Sequence, residues 1–486
     1  MRILYLDIDT LRPDHMGCYG YRRNTSPNLD RIAARGARFD QVYCSDAPCL
    51  PSRSALVTGR FGIHNGVVNH GGQAACLRDD GADRGFRDRL DRESMFSMLR
   101  QAGLSTALIS SFPERHSAWW FYAGFQEMHN SGQGGMESAE EVTPVALRWI
   151  KDNAKRDNWY LHLNYWDPHT PYRAPKSFGN PFAGQELPPW LTPEVLKRHQ
   201  QCVGPHSARE INMWDEGTNP SYPRHPGQVR TMKELRGLID GYDCGIRYLD
   251  GHIGRVMAAL KAQGVLDDTA IIVSADHGEN FGELGIYAEH GSADAATCRI
   301  PMIIRWPKGG KPGVARGLRY NIDLAPTLAQ LLGVGAPAAW DGVSFAGAVT
   351  GQGAAGRDHL VLSQMAHVCQ RSVRFGDWLY MRTWHDGFHL FADEMLFDLA
   401  SDPGEQKDVA PLRPRELGQA RRLLADWTRA MMKTQPGVRD PLKVVLAEGG
   451  PFHAKGALKR YCARLKKTGR AWAVPLLKKK HPGEFA

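Results

Sequence analysis

Ala47-Pro48-Cys49-Leu50-Pro51-Ser52-Arg53-Ser54-Ala55-Leu56-Val57-Thr58-Gly59-Arg60 is the stretch on which the reading of this 486-residue chain turns. Pro51 is tolerated in the first turn of a helix, where its missing N–H costs nothing. Residue 49 then stands at a helix N-terminus, where free N–H groups and the macrodipole favour an anion such as sulfate or phosphate. Arg53 follows one turn later and can point back at the same spot.

Two further runs place carboxylates where such a site needs them. Arg2-Ile3-Leu4-Tyr5-Leu6-Asp7-Ile8-Asp9-Thr10-Leu11-Arg12-Pro13-Asp14 opens as a buried parallel strand, with Asp9 at its carboxyl end, where open α/β sheets bind ligands. Asp7 shares the face of Asp9, about 7 Å further back by strand rise, and reads as a supporting residue. Ala270-Ile271-Ile272-Val273-Ser274-Ala275-Asp276-His277-Gly278-Glu279 is again an apolar strand with polar residues at its end. Carboxylate oxygens suit a hard divalent cation, and one imidazole shifts the preference toward Mn²⁺ or Zn²⁺. A third strand-like run, Trp159-Tyr160-Leu161-His162-Leu163, leads into Asn164-Tyr165-Trp166-Asp167-Pro168-His169-Thr170-Pro171-Tyr172.

The Cys49 run resembles the C-x-P-x-R motif of type I sulfatases, continued through Thr58-Gly59-Arg60. The opening strand through Gly17-Cys18-Tyr19-Gly20 and the Asp276-His277-Gly278-Glu279 element resemble the same family, within the alkaline phosphatase superfamily. The resemblance covers residues 1–435 and includes Leu396-Phe397-Asp398-Leu399-Ala400-Ser401-Asp402-Pro403-Gly404-Glu405, similar to a stretch of sulfatase C-terminal subdomains. It implies an alkaline-phosphatase-like α/β fold: a large, mostly parallel sheet flanked by helices, with a smaller C-terminal α+β subdomain. It also implies that Cys49 is oxidised to formylglycine by a maturation enzyme. A divalent metal, Ca²⁺ first, would be held by Asp9, residue 49, Asp276 and His277, and His169 would contact the scissile ester. Relatives carry two adjacent aspartates where this chain has Asp9-Thr10, which leaves the fourth protein ligand open. Relatives also carry a Lys–His pair after the strand that here reads Ser105-Thr106-Ala107-Leu108-Ile109, and His116, beside Arg115, takes that place. His290 stands where relatives have a second lysine.

The implied activity is hydrolysis of sulfate monoesters of a sugar or other small organic alcohol. The alternatives are a phosphonate monoester or phosphodiester hydrolase of the same superfamily and, more remotely, a non-catalytic polyanion-binding protein. Phosphonate hydrolases of the superfamily share the single strand-end Asp with an Asp-His pair.

Composition agrees with a globular chain of more than one domain, with 42% hydrophobic residues and no run able to span a membrane. No apolar leader is visible before the first strand, and nine scattered cysteines show no C-x-x-C spacing, so a cytoplasmic location is expected. Residues 451–486 hold ten Lys/Arg against Glu484, so the entire net charge of +9 resides there. That basic extension reads as a solvated terminal helix that helps subunits associate. The expected domains are 1–350 (catalytic), 359–450 (C-terminal subdomain) and 451–486 (extension). Strands are expected near 2–8, 105–110, 159–165, 270–275 and 301–306. Helices are expected near 29–35, 92–102, 138–155, 230–263, 322–332 and 413–433. The Pro-, Trp- and His-rich excursion 167–227 is expected to rim the substrate pocket.

Overall fold

Arg2–Ile8 is apolar at almost every position because both its faces are covered, and it runs through the middle of the large sheet. The protein is described here by a computed structural model covering residues 1–77, 90–435 and 439–485. The nine-stranded sheet runs Gly313–Ala315, Ala37–Tyr43, Arg299–Arg305, Thr269–Ser274, Arg2–Ile8, Trp159–Tyr165, Ser105–Ile109, Glu127–His129, with Arg319–Tyr320 also pairing to Ala37–Tyr43. Arg2–Ile8 pairs in parallel with both neighbours, Ile8 opposite Tyr165 and Asp7 opposite Ser274. The segments that follow these three strands therefore leave the sheet side by side.

The run expected at 301–306 is a strand, but Arg299–Arg305 lies antiparallel to both of its neighbours. Between Ser274 and Arg299 the chain makes a small ladder of Asn280–Phe281 with Tyr287–Glu289, a 3-10 turn at Glu283–Gly285 and a short helix, Ala295–Cys298. Without a crossover helix, the return into the sheet must be antiparallel. Two groups of helices flank the sheet. Pro27–Ala33 and Ala139–Asn153 pack on Met232–Ala262, and Cys49–Thr58, Met95–Gln101 and Leu324–Leu332 pack together.

The five-stranded second sheet is ordered Glu394–Asp398, Trp378–His385, Cys369–Phe375, His359–Gln364, Asp46–Ala47. Its last strand comes from the N-terminal part of the chain, with Asp46 opposite Ser363. The boundary expected at 350–358 is thus crossed by pairing immediately before Cys49.

The basic extension is not a solvated helix. Helices Leu458–Lys467 and Ala473–Lys480 bury Leu458, Tyr461, Leu465, Val474 and Leu477 against Val203 and Phe388 of the same chain. Arg470 is fully buried on Glu210, and Lys480 and His481 close on Asp386. The amphipathic spacing has its apolar face covered by the chain's own loops, while Lys459, Arg460, Lys466, Lys467, Lys478 and Lys479 face outward. No helix among the described residues is long and apolar enough to cross a membrane.

Candidate active site

Helix Cys49–Thr58 starts at Cys49, with Pro51 inside its first turn, and every one of its residues is buried. No side chain caps its N-terminus, so the dipole end faces the space around Cys49. Gly59 ends the helix in the left-handed region, φ 64°, where an added Cβ would lie 2.6 Å from the Trp340 ring. Ser52 Oγ donates to the Asp276 carbonyl at 2.6 Å, which fixes the helix to the end of the Thr269–Ser274 strand.

The ligand atoms of Asp9, Cys49, Asp276 and His277 lie within 4.8 Å of one another, all buried. His277 Nδ1 lies 2.9 Å from the Gly278 carbonyl, which sets the tautomer and leaves the Nε2 lone pair facing Cys49 Sγ at 3.1 Å. Arg53 does reach back one turn, but into the carboxylates rather than into open space. Its guanidinium donates to both oxygens of Asp7 (3.0 and 3.2 Å), to Asp9 Oδ2 (2.9 Å) and to Asp276 Oδ2, and it stacks on Phe112 and Trp166. Asp7 also takes His162 Nε2 at 3.1 Å and has no oxygen to spare.

Three carboxylates thus share one guanidinium. Burial, with Asp9 and Asp7 nearby, pushes Asp276 well up, whereas Arg53 outweighs burial and holds Asp9 low. Asp9 Oδ1 is buried with no hydrogen-bond partner. An uncompensated negative pocket, an orphaned carboxylate oxygen and an imidazole with a free lone pair fit a divalent cation. Thr10 stands beside this group, with its Oγ1 buried and without a hydrogen-bond partner. Its N–H donates to Asp276 Oδ1 at 3.2 Å, and its backbone sits at φ 58°, unusual for a β-branched residue. The Cys49 thiol is pushed well above its ordinary pKa by burial and by Asp9 and Asp276, so it stays protonated and is a poor nucleophile as it stands.

Cys49, His116, His169 and His290 line one cavity of about 720 Å³. His169 Nδ1 faces the Thr170 carbonyl, which turns Nε2 toward Asp9 Oδ1, 4.0 Å away; burial keeps this ring neutral. His290 is the opposite case. Against the effect of burial, Glu289 at 2.7 Å and Glu279 at 3.7 Å hold its pKa up at about 10, so the ring is an imidazolium. Its centroid is 4.1 Å from that of His277. His116 packs on Phe112, and burial lowers its pKa to about 3.

The excursion 167–227 contributes Thr170, Pro171 and Met213 to the cavity. His206 approaches Glu289 at 3.2 Å, Arg209 donates to the Thr468 carbonyl, Trp214 packs on Tyr461, and Trp190 lies under Gly404. Sequence reading misses Glu279, Glu289, His70, His367 and His453. Glu279 closes the Asp276-His277-Gly278-Glu279 element and Glu289 precedes His290, neither with a spacing that marks a role of its own, and the three histidines stand in loops without periodic pattern.

Residues 2–334 match the family model described as Sulfatase, and residues 282–416 match N-sulphoglucosamine sulphohydrolase, C-terminal. A choline-sulfatase of Rhizobium meliloti (strain 1021) is 27% identical over 428 residues, spanning 79% of this chain and 77% of that one. A solved structure in complex with its substrate D-glucosamine-2-N,6-O-disulfate aligns with TM-score 0.69 at 21% identity, over 90% of this chain and 99% of that one. The phosphonate monoester hydrolase of Agrobacterium radiobacter aligns with TM-score 0.67 at 18% identity, over 89% and 96%.

Proposed function

The chain belongs to the sulfatase family, hydrolases acting on sulfuric ester bonds, and from that premise we propose that it cleaves the sulfate monoester of a small organic alcohol, a sugar sulfate foremost, through a formylglycine at position 49. The observation that carries this reading is Cys49 at a buried helix N-terminus, with Asp9, Asp276 and His277 around it. A thiolate nucleophile is disfavoured there, whereas a hydrated aldehyde has hydroxyls that need no negative charge at rest.

Asp9, Asp276, His277 and residue 49 would hold the divalent cation. Ca²⁺ is the family expectation, and the His277 nitrogen also suits Mn²⁺ or Zn²⁺. When bound, the cation would neutralise charge on the sulfate oxygens and acidify a neighbouring hydroxyl. Arg53 orients the carboxylates, and Asp7 fixes Arg53. One hydroxyl of the residue 49 diol loses its proton to water in the cavity and attacks sulfur while the S–O bond to the alcohol breaks. His290, the charged imidazole, gives its proton to the departing alkoxide. His169, neutral with Nε2 free, then takes the proton of the second hydroxyl. The C–O bond to sulfate breaks, sulfate leaves and the aldehyde re-forms, to be hydrated again by water. His116 borders the sulfate end as a neutral hydrogen-bonding ring.

The test is mass spectrometry of the tryptic peptide Phe39–Arg53 from protein made with a maturation enzyme. Thiol should be replaced by carbonyl oxygen, with activity tracking the converted fraction, and Cys49→Ala should lower kcat at least about 10⁴-fold. Full activity with unmodified Cys49 would end the formylglycine reading. Asp9 without a second aspartate favours one rival, a phosphonate monoester hydrolase. A kcat/KM for phenyl phosphonate more than about tenfold above that for an aryl sulfate, about 1.4 kcal/mol of transition-state preference, would replace the sulfate reading with it.

A further inference from the structure

We infer that the imidazoles of His70, His367 and His453 form the wall that receives the alcohol half of the ester, and that this wall fits a neutral, polyhydroxylated alcohol. The inference rests on the sulfate-ester reading above. The three rings and Phe452 line the same cavity as Cys49, His169 and His290. His367 is 2% exposed, and neither of its ring nitrogens has a hydrogen-bond partner; His70 Nε2 is likewise buried and unpartnered. An unmade buried hydrogen bond is costly to a fold. A fold that tolerates several beside a cavity of about 720 Å³ keeps them for a ligand that enters it.

The wall is built rather than accidental. His453 belongs to the C-terminal extension, beyond both segments that match the family models. Its backbone N–H donates to the Ala366 carbonyl at 3.0 Å, and its ring stacks on His367 with centroids 4.3 Å apart and planes at 20°. His70 Nδ1 and His453 Nε2 are 2.9 Å apart. The buried Arg470–Glu210 pair and the Lys480–Asp386 contact hold the extension in place. Three distant stretches of chain thus meet at one surface.

The chemistry of that surface selects its ligand. A neutral imidazole offers one N–H donor and one lone pair, the same pairing as a hydroxyl. A carboxylate only accepts, and a quaternary ammonium does neither. Burial lowers the pKa of His453 to about 4 and pushes those of His70 and His367 well down, so these three rings carry no charge, while Arg115 is the guanidinium that lines the same cavity. Glu289, the carboxylate behind it, is held by His290 and His206. Phe452 is one aromatic face where an onium group such as choline needs a cage.

The experiment compares kcat/KM for N-acetylglucosamine 6-sulfate, choline sulfate and 4-nitrophenyl sulfate in wild-type protein, His453→Ala and His453→Asn, all with matched conversion at residue 49. We expect wild type to prefer the sugar ester over choline sulfate by at least tenfold. His453→Ala should lower the sugar-to-aryl ratio at least tenfold, mainly through KM, and His453→Asn, which keeps a donor and an acceptor, should recover part of it. A ratio that moves less than twofold, a parallel fall on both esters, or a preference for choline sulfate would overturn the inference. If wild type cleaved no sulfate ester, the activity reading would fail instead. Calorimetric binding of free N-acetylglucosamine would then judge the wall, with a fivefold loss of affinity in His453→Ala expected and an unchanged affinity overturning it.

Discussion

The two ends of the catalytic cavity are made on opposite plans. At one end Asp7, Asp9 and Asp276 converge on Arg53, so that charge is dense and nearly every polar atom is tied. At the other end stand His70, His367 and His453, uncharged, with ring nitrogens of His70 and His367 left open. Fixed charge is preorganised for a reaction whose charge moves. Open neutral imidazoles hold what the reaction leaves alone. Catalytic power and substrate choice are thereby carried by different residues, and each should be removable without the other.

The largest effect should come at the charged end. Asp9→Asn removes the orphaned carboxylate oxygen, and we expect loss of bound divalent metal with kcat/KM down about 10³-fold. Metal content by mass spectrometry after gel filtration checks this, with His453→Ala retaining its metal as the contrast. Full metal and full activity in Asp9→Asn would dissolve the division between the two ends. His290 lies between them and sharpens the comparison next. His290→Gln removes the charged imidazole of this cavity and should lower kcat about 10²-fold on an alkyl sulfate. The loss should be smaller on 4-nitrophenyl sulfate, whose leaving group needs no proton, and His290→Lys should restore part of it; equal losses on both esters would argue against an acid role.

How much of this the sequence discloses follows the same divide. Asp9, Cys49 and Asp276-His277 are legible because strand ends and a helix start fix their positions locally. Their meeting then follows from neighbouring strands, Ile8 beside Tyr165 and Asp7 beside Ser274. His367 and His453 are illegible because a hairpin tip and a terminal extension become neighbours only after the whole chain has folded. The strand Ala37–Tyr43 escapes for a different reason. Its pairing with Arg299–Arg305 slips between Ile300 and Met302, so Phe39 and Val42 break the two-residue alternation that marks a half-buried strand. The direction of Arg299–Arg305 depends on its connection rather than on its own apolar run.

A smaller effect tests whether buried carboxylates elsewhere are compensated as they are around Arg53. Asp167 has no strong cation partner, and burial raises its pKa from 3.8 to about 7. Below the unfolded value both states are protonated. As pH rises from about 4 to about 7 the unfolded chain ionises first, so stability is lost across that window. Asp167→Asn, which can still accept the Ala139 N–H, should gain about 2 kcal/mol on wild type between pH 5 and pH 8, read by urea unfolding. A pH-independent difference would mean that Asp167 is ionised in the fold. Smallest of all, Thr10→Asn replaces a β-branched residue at φ 58° by one that tolerates it and should stabilise the fold by about 1 kcal/mol. A lower melting temperature would show that Thr10 is not strained.

The pairing of Asp46 with Ser363 carries a consequence in time. The partner strand is made about 300 residues after Asp46, which at roughly 5–20 residues per second is roughly 15–60 s of synthesis. Throughout that interval Cys49 sits beside a sheet whose neighbouring strand does not yet exist. Once Ser363 arrives and the helix is enclosed, the thiol is sealed from any other protein. The length of chain between two paired strands thus acts as a clock, and chemistry that must reach residue 49 has to finish before it runs out.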